Sequence, residues 1–332
     1  MKNEIIAVGI DVAKASLSVC FHFKNENEKA LMISNTETDI NRKVLSKLKN
    51  FKGKIVMEST GHYHWLATLL LSESDYDVRI VNPILASQYT TKNIRKIKSD
   101  PTDASGLARM ARIADNLPNT FSGTRKSLWM RKKLGLLASL SKQVQALQAS
   151  IKSVKEAQKI IGEKDSLVVE ELKQSVKSLK KSMSNLEKEC IKESKQNNKL
   201  ERQVELLTSR PGISEFAAVL CLHWFNKDNG VTAKSWIAYS GSDVSVKESG
   251  TWKGKCRITK RGNAYLRKRL FCCAFGAWRH NPDFKNYYDK LREEGRSYVE
   301  TMIIISRKLI RIMFSVLETG QPYDAKKCFF TE

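Results

Sequence analysis

Four carboxylates stand where they could act together. Asp11 closes the apolar run Ile5 to Ile10, and Glu58 closes the run Ile55 to Met57. Asp100 and Asp103 open a helix-like segment, Ser99-Asp100-Pro101-Thr102-Asp103-Ala104. An acid at the end of a buried strand is costly unless something positive meets it. A pair of divalent metals meets that need, and two-metal sites cut or transfer phosphodiesters. Asp100 and Asp103 lie three apart at a helix start, so both face one side. Each acid also has an ordinary reading. Asp100 serves as an N-cap with Asp103 in the first turn, and Asp11 and Glu58 serve as turn residues at strand ends. What sets them apart is their joint placement at one expected sheet edge, where four acids repel without a cation. His62 and His64 flank Tyr63 just beyond Glu58 and are expected to be partly exposed at a helix start.

A second candidate is Ser249, in Lys247-Glu248-Ser249-Gly250, inside a Gly- and Ser-rich stretch from Ser240 to Gly254. A serine among cations can attack a phosphodiester. No dedicated base is evident beside it, and by composition Ser240, Ser242 and Ser245 are equivalent. Next to this stretch Lys253, Lys255, Arg257, Lys260, Arg261, Arg267, Lys268 and Arg269 crowd one acid-free segment, with Trp252 and Tyr265 interleaved. That pattern suits a nucleic-acid backbone better than a solvated helix face does.

The whole chain repeats this bias. Its 332 residues carry 58 Lys and Arg against 35 Asp and Glu, a formal net charge of +23. Such a balance points to a polyanionic partner. No apolar run approaches the roughly 20 residues of a spanning helix, so no membrane partner is expected. The N-terminus has no signal-peptide pattern, which makes a cytoplasmic location the expectation. The seven cysteines are odd in number and form no C-x-x-C pair, which argues for reduced, buried thiols rather than zinc or disulfides.

The elements that must hold these residues follow from period and breaks. Strands are predicted at 5–11, 16–23, 29–34, 54–58 and 77–81, and helices at 38–49, 63–72, 83–90 and 101–115. Three strands joined by short turns imply antiparallel hairpins, and the later strand–helix alternation implies parallel pairing. That order is ribonuclease H-like. From about 125 to 208 apolar residues keep heptad spacing, first Leu137 to Val154, then Leu172 to Cys190 and on through Leu200, Val204 and Leu207. With the break at Gly162 to Asp165, the pattern predicts an antiparallel coiled-coil hairpin or arms that pair with another subunit, with polar Asn197 in the seam. Beyond it, Ser209-Arg210-Pro211-Gly212-Ile213-Ser214 separates two helical runs as a helix-hairpin-helix-like segment with phosphate-binding amides. Further helices are predicted at 266–278, 284–294 and 297–318. The fold class is thus α/β plus α, with domains at 1–120, 125–208 and 209–325.

These motifs resemble those of the DEDD-type insertion-sequence transposases, a family that includes Piv-like DNA invertases and bridge-RNA-guided recombinases. The matching stretches are Gly9-Ile10-Asp11-Val12-Ala13-Lys14, Glu58-Ser59-Thr60-Gly61-His62-Tyr63, Val81-Asn82-Pro83 and Lys98-Ser99-Asp100-Pro101-Thr102-Asp103-Ala104. Toward the C-terminus come Arg210-Pro211-Gly212-Ile213, Ala238-Tyr239-Ser240-Gly241, Ser249-Gly250 and Ile258-Thr259-Lys260-Arg261-Gly262-Asn263. The resemblance implies a RuvC-like tetrad of Asp11, Glu58, Asp100 and Asp103 holding two Mg2+, with Mn2+ as a substitute, and Ser249 as nucleophile. It implies strand cleavage through a phosphoserine link, strand exchange, donor and target DNA, a structured guide RNA, and a dimer or tetramer. The chain departs from the family at Ser242, where Pro is usual after Gly241, and at Ser99, where Thr is common. The alternatives are a non-catalytic nucleic-acid scaffold, a junction resolvase needing the acids but not Ser249, and an actin-like phosphotransferase, for which the further nucleotide loops are missing.

Overall fold

The structure, a computed structural model, describes residues 4–24, 29–90, 100–164, 167–209, 211–225, 231–245, 248–249, 252–253 and 257–324. It divides into two compact units, Met1–Leu128 and Trp129–Glu332.

The first unit is a five-stranded mixed sheet with helices on both faces. Its elements are β1 (Ile5–Val12), β2 (Ser16–Phe23), β3 (Lys29–Ser34), α1 (Glu37–Lys43), β4 (Lys54–Glu58), α2 (Trp65–Glu73), β5 (Asp77–Val81), α3 (Pro83–Thr90) and α4 (Asp100–Ile113). The strand order is β3-β2-β1-β4-β5. β1 pairs antiparallel with β2, and β2 with β3, whereas β1–β4 and β4–β5 are parallel. The pairing anticipated from turn lengths is the pairing observed.

Side-chain alternation explains the layering. On β1 the large residues Val8, Ile10 and Val12 face one side, where they pack with Ile55 and Met57 of β4, Ile40 of α1 and Leu71 of α2. The small residues Ala7 and Gly9 face the other, and Ala7 packs there with Val56, Val81, Ala86 of α3, and Leu107 and Met110 of α4. Alternation with period two makes both faces of β1 buried, and the small side lets a helix approach closely. A Cβ on Gly9 would lie 2.1 Å from the Ala108 nitrogen and 2.2 Å from the Ala104 carbonyl oxygen, so α4 rests directly on the strand backbone. The β5 edge is covered: the Phe121 amide donates to the Val78 carbonyl at 2.7 Å, and Arg79 bonds the Pro118 carbonyl at 2.9 Å. Covering an edge strand in this way removes a template for unwanted pairing.

The second unit is mainly helical. It contains most of α5 (Arg125–Ile161), then α6 (Leu167–Ser194), α7 (Asn198–Thr208), α8 (Glu215–Trp224) and α9 (Ala233–Tyr239). Four two-residue strands follow, β6 (Val244–Ser245), β7 (Glu248–Ser249), β8 (Trp252–Lys253) and β9 (Arg257–Ile258), and then α10 (Ala264–His280), α11 (Pro282–Glu293) and α12 (Tyr298–Thr319). α8, α10 and α12 supply most of one core, including Phe216, Leu220, Leu266, Leu270, Ile305 and Leu309. Among the described residues no helix is long and apolar enough to cross a membrane. The apolar run at Met302 belongs to this core.

One correction concerns the long helices. α6 ends at Ser194, and Asn197 caps α7, its side-chain oxygen accepting from the Lys199 and Leu200 amides at 3.1 and 3.2 Å. Asn197 is therefore a helix N-cap and not a seam residue; its short side chain competes for local backbone donors, which a heptad count does not register. The reversal at Gly162, with φ +74°, brings Lys133 of α5 to Glu189 and Glu193 of α6, each at 2.5 Å.

Candidate functional site

Strand register places the first acids side by side. Ile10 of β1 lies beside Met57 of parallel β4, so Asp11 and Glu58 are the next residues on adjacent strands. Asp11 is two residues from Gly9, over which α4 sits, and Glu58 is two residues from Val56, which packs against α4. Both therefore project on the α4 side of the sheet. Asp103 lies in the first turn of α4, immediately before Ala104, whose carbonyl meets Gly9. Asp11, Glu58 and Asp103 are all half-buried. Asp11 and Glu58 thus sit at neighbouring strand ends on the side that α4 covers, and Asp103 lies in the first turn of that helix. Among the described residues no three His, Cys, Asp or Glu stand together as a metal cage. The backbone of Asp100 begins α4, while its side chain lies outside the described residues.

The donor chemistry fits a hard cation. Carboxylate oxygens suit Mg2+, which is ordinarily held by one or two carboxylates, several waters and substrate phosphates rather than by an all-protein cage. Directly across the β1–β2 ladder from Asp11 is Ser18, 3% exposed, whose buried hydroxyl has no hydrogen-bond partner among the described residues. A buried unpaired hydroxyl is costly, and here it marks unused polar capacity beside Asp11.

Sequence reasoning missed Asn35. Its side-chain amide donates to the Ala13 carbonyl at 3.2 Å and to the Tyr63 carbonyl at 3.0 Å. One residue thereby ties the chain leaving Asp11 to the chain leaving Glu58. No local motif signals such a link, because its two acceptors are backbone atoms distant in sequence. Asn82 accepts from the Ile84 amide at 2.9 Å, which starts α3 directly after β5 with Pro83 in the first turn. His62 is exposed and lies against the Tyr63 ring, with centroids 4.6 Å apart. His64 departs from expectation: it is buried, and its carbonyl accepts the Thr68 hydroxyl at 2.8 Å.

In the second unit Ser249 belongs to one of two short antiparallel ladders. β6 pairs antiparallel with β9, Val244 opposite Ile258, and β7 pairs with β8, Ser249 opposite Trp252. The side chains of Ser249 and Lys253, and the whole of Lys255, lie outside the described residues. At the foot, Gly241 (φ +70°) and Gly262 meet backbone to backbone; a Cβ on Gly262 would lie 2.4 Å from the Gly241 nitrogen. Ser240 and Ser242 are both buried, and Ser240 donates to the Ile237 carbonyl at 2.7 Å. Burial takes Ser240 and Ser242 into the fold, which composition did not show.

The cations sort by their contacts. Arg257, Lys260 and Arg261 are exposed. Arg267 instead donates to the Ser240 carbonyl at 3.0 Å, and Lys268 reaches the Ser141 hydroxyl at 3.1 Å. Arg269 pairs with Glu187, bonds the Tyr265 hydroxyl at 2.9 Å and lies over the Phe216 ring. Arg267 and Arg269 thus hold the fold together where spacing alone grouped them with the surface cations. Between α7 and α8, Gly212 (φ +86°) meets α10, where a Cβ would lie 2.4 Å from both the Ala277 nitrogen and the Cys273 oxygen.

The first unit is thus a mixed sheet with Asp11 and Glu58 at neighbouring strand ends, and the second is mainly helical with exposed cations at Arg257, Lys260 and Arg261. Residues 8–155 match the DEDD-type IS110 family described as "Transposase", and residues 204–289 match the "Transposase IS116/IS110/IS902 family". The two matches fall in order, span well over half of the chain, and show that it belongs to the IS110-type transposase family. The chain is similar to an IS110 insertion-element protein of Streptomyces coelicolor, 29% identical over 122 residues, which is 36% of this chain and 30% of that one. It is also similar to the pilin gene-inverting protein of Moraxella lacunata, 23% identical over 338 residues, covering 96% of this chain and 98% of the relative. The chain thus spans under a third of the first relative and nearly all of the second. Among solved structures, "T. thermophilus RuvC in complex with Holliday junction substrate" aligns over 32% of this chain and 90% of that one, at 13% identity and a TM-score of 0.24, too slight to bear on the fold.

Proposed function

We propose that the protein is a DNA transposase or site-specific recombinase that cleaves and exchanges strands through Ser249, with divalent metal at Asp11, Glu58, Asp100 and Asp103. The observation that carries this reading is the placement of Asp11, Glu58 and the start of α4 on one face of the sheet. The mixed five-stranded sheet is what a ribonuclease H-like unit would use, and family membership supplies the substrate class. The near full-length relative is named for inverting a gene, which supports recombination over simple cleavage.

Mg2+ bound there would polarise the scissile phosphate and screen its charge. The acids would hold it, and Asn35 would keep the two strand exits in register. Ser249 Oγ would form a bond to phosphorus as the bond to the leaving sugar oxygen breaks, and the serine proton would pass to solvent or to that oxygen. An incoming sugar hydroxyl would reverse the step on the exchanged strand. Arg257, Lys260 and Arg261 would neutralise the backbone on either side. The long helices would pair as a coiled coil and join copies into a dimer or tetramer, and a structured RNA would direct the DNA sites. Domains at 1–120, 125–208 and 209–325 would divide this work.

A plasmid recombination assay tests the reading. Asp11→Ala and Ser249→Ala each abolish recombinant product while DNA binding persists; recombination at the wild-type level in both variants would overturn it.

A further inference from the structure

An aromatic surface forms in the second unit where α10, α11 and α12 meet. α10 contributes Phe271, Phe275 and Trp278, α11 contributes Tyr288, and α12 begins with Tyr298. The rings pack mostly edge to face, as aromatic pairs prefer. Phe275 and Trp278 have centroids 5.5 Å apart at 66°, Phe271 and Tyr298 6.4 Å at 76°, and Tyr288 and Tyr298 6.5 Å at 67°. Trp278 and Tyr288 approach to 4.7 Å. Phe271 and Tyr288 border the core, but the outer rings reach water: Phe275 is 43% exposed and Tyr298 39%. The guanidinium of exposed Arg279 lies 5.9 Å from the Trp278 ring centre. Contiguous exposed rings mark an interaction surface, and Trp, Tyr and Arg together are the residues that dominate protein-binding hot spots.

Charge selects the partner. Residues 253–269 carry eight Lys or Arg and no Asp or Glu, whereas residues 275–300 carry five of each sign. A nucleic-acid strand is drawn to the first stretch and gains no net attraction from the second. A second copy of this chain is in the opposite position. Its net charge of +23 repels it from most of the surface, and least from a face whose charges balance. Lys285, Asp289, Lys290 and Glu293 of α11 are all exposed and form no ion pair among the described residues. With both signs available on one rim, two copies related by a two-fold axis can each set cations against the other's acids.

We propose that the aromatic face of α10, α11 and α12 is an isologous interface between two copies of this chain, centred on Phe275, Trp278 and Tyr298. It goes beyond the coiled-coil pairing proposed above, which uses other helices, and it is independent of the serine chemistry. The rings supply the buried centre, and the α11 charges supply the rim that fixes register.

The test is light scattering of the full chain after gel filtration, without nucleic acid, at concentrations from about 1 to 100 µM. The wild-type mass rises with concentration. Phe275→Lys and Tyr298→Ser each raise the midpoint of that rise about tenfold or more, the scale of losing a hot-spot ring. A wild-type chain that stays monomeric throughout overturns the proposal. So does an unchanged rise in both variants, folded by circular dichroism, which assigns association to another surface such as the long helices. Should Phe275→Lys fail to fold, Tyr298→Ser decides alone. Variants that keep the wild-type mass but lose affinity for a labelled single strand give the face to nucleic acid and also overturn it. Recombination is not read in this experiment, so failure of the proposed strand chemistry leaves its result untouched.

Discussion

Gly9 of β1 lies under Ala104 of α4, so closely that a Cβ on the glycine would stand 2.2 Å from the alanine carbonyl oxygen. This contact sets the start of α4, with Asp103, against the strand that carries Asp11 next to its last residue. No small side chain fits without moving the helix. Gly9→Ala is expected to cost at least about 3 kcal/mol in the first unit, at the upper end of overpacking penalties. Thermal unfolding followed by circular dichroism checks this, and recombination should fall further than stability alone explains.

Asn35 joins the chain after β1 to the chain after β4 through two donated hydrogen bonds. Asn35→Ala removes both links while leaving every acid in place. The expected outcome is a modest stability loss of about 1–2 kcal/mol, with a much larger drop in strand cleavage. Asn35→Asp keeps the shape but loses the donors and should not rescue it. Cleavage rates and melting curves measured on the same preparations separate the two effects.

Burial, with Arg131 nearby, pushes the His223 imidazole down to about 4 from an ordinary value of 6.5. The folded state thus resists protonation that the unfolded chain accepts. Stability from this group is complete above pH 6.5 and is lost as pH falls toward 4, by up to about 3 kcal/mol at 1.36 kcal/mol per unit. His223→Gln should flatten the stability profile across that window. Urea unfolding at pH 4, 5.5 and 7.5 in both proteins is the measurement.

Lys133 is 6% exposed, yet its partners Glu189 and Glu193 are 53% and 36% exposed. The burial cost therefore falls on the lysine. Lys133→Met removes the buried charge and should change stability by no more than about 1 kcal/mol, whereas Glu189→Gln with Glu193→Gln strands the cation and should cost about 3 kcal/mol. Denaturant midpoints of the two variants distinguish these outcomes.

The sheet was readable because its strands are short, apolar and sharply bounded. The β2 to β5 limits fall where residue pattern placed them, and β1 extends one residue past Asp11 to Val12. The common face of Asp11 and Glu58 was also implicit, since parallel neighbours ending at the same edge share a pleat. What spacing could not show was long-range. Arg269 reads as one more cation in a basic run, and only the fold reveals Glu187 beside it. Asn197 matched a heptad slot although its side chain caps a helix. Ser240 and Ser242 read as loop serines, yet both are buried, and Ser240 also meets Arg267 from a helix distant in sequence.

The central claim is that Ser249 becomes covalently joined to DNA under the control of the acidic edge. The direct measurement is a denaturing gel of the full chain incubated with labelled, nicked substrate DNA and Mg2+. A protein–DNA adduct that is lost in Ser249→Ala, in Asp11→Asn and on chelation of the metal is the expected result. An adduct that persists in Ser249→Ala, or recombinant product formed with no adduct at all, would contradict the account.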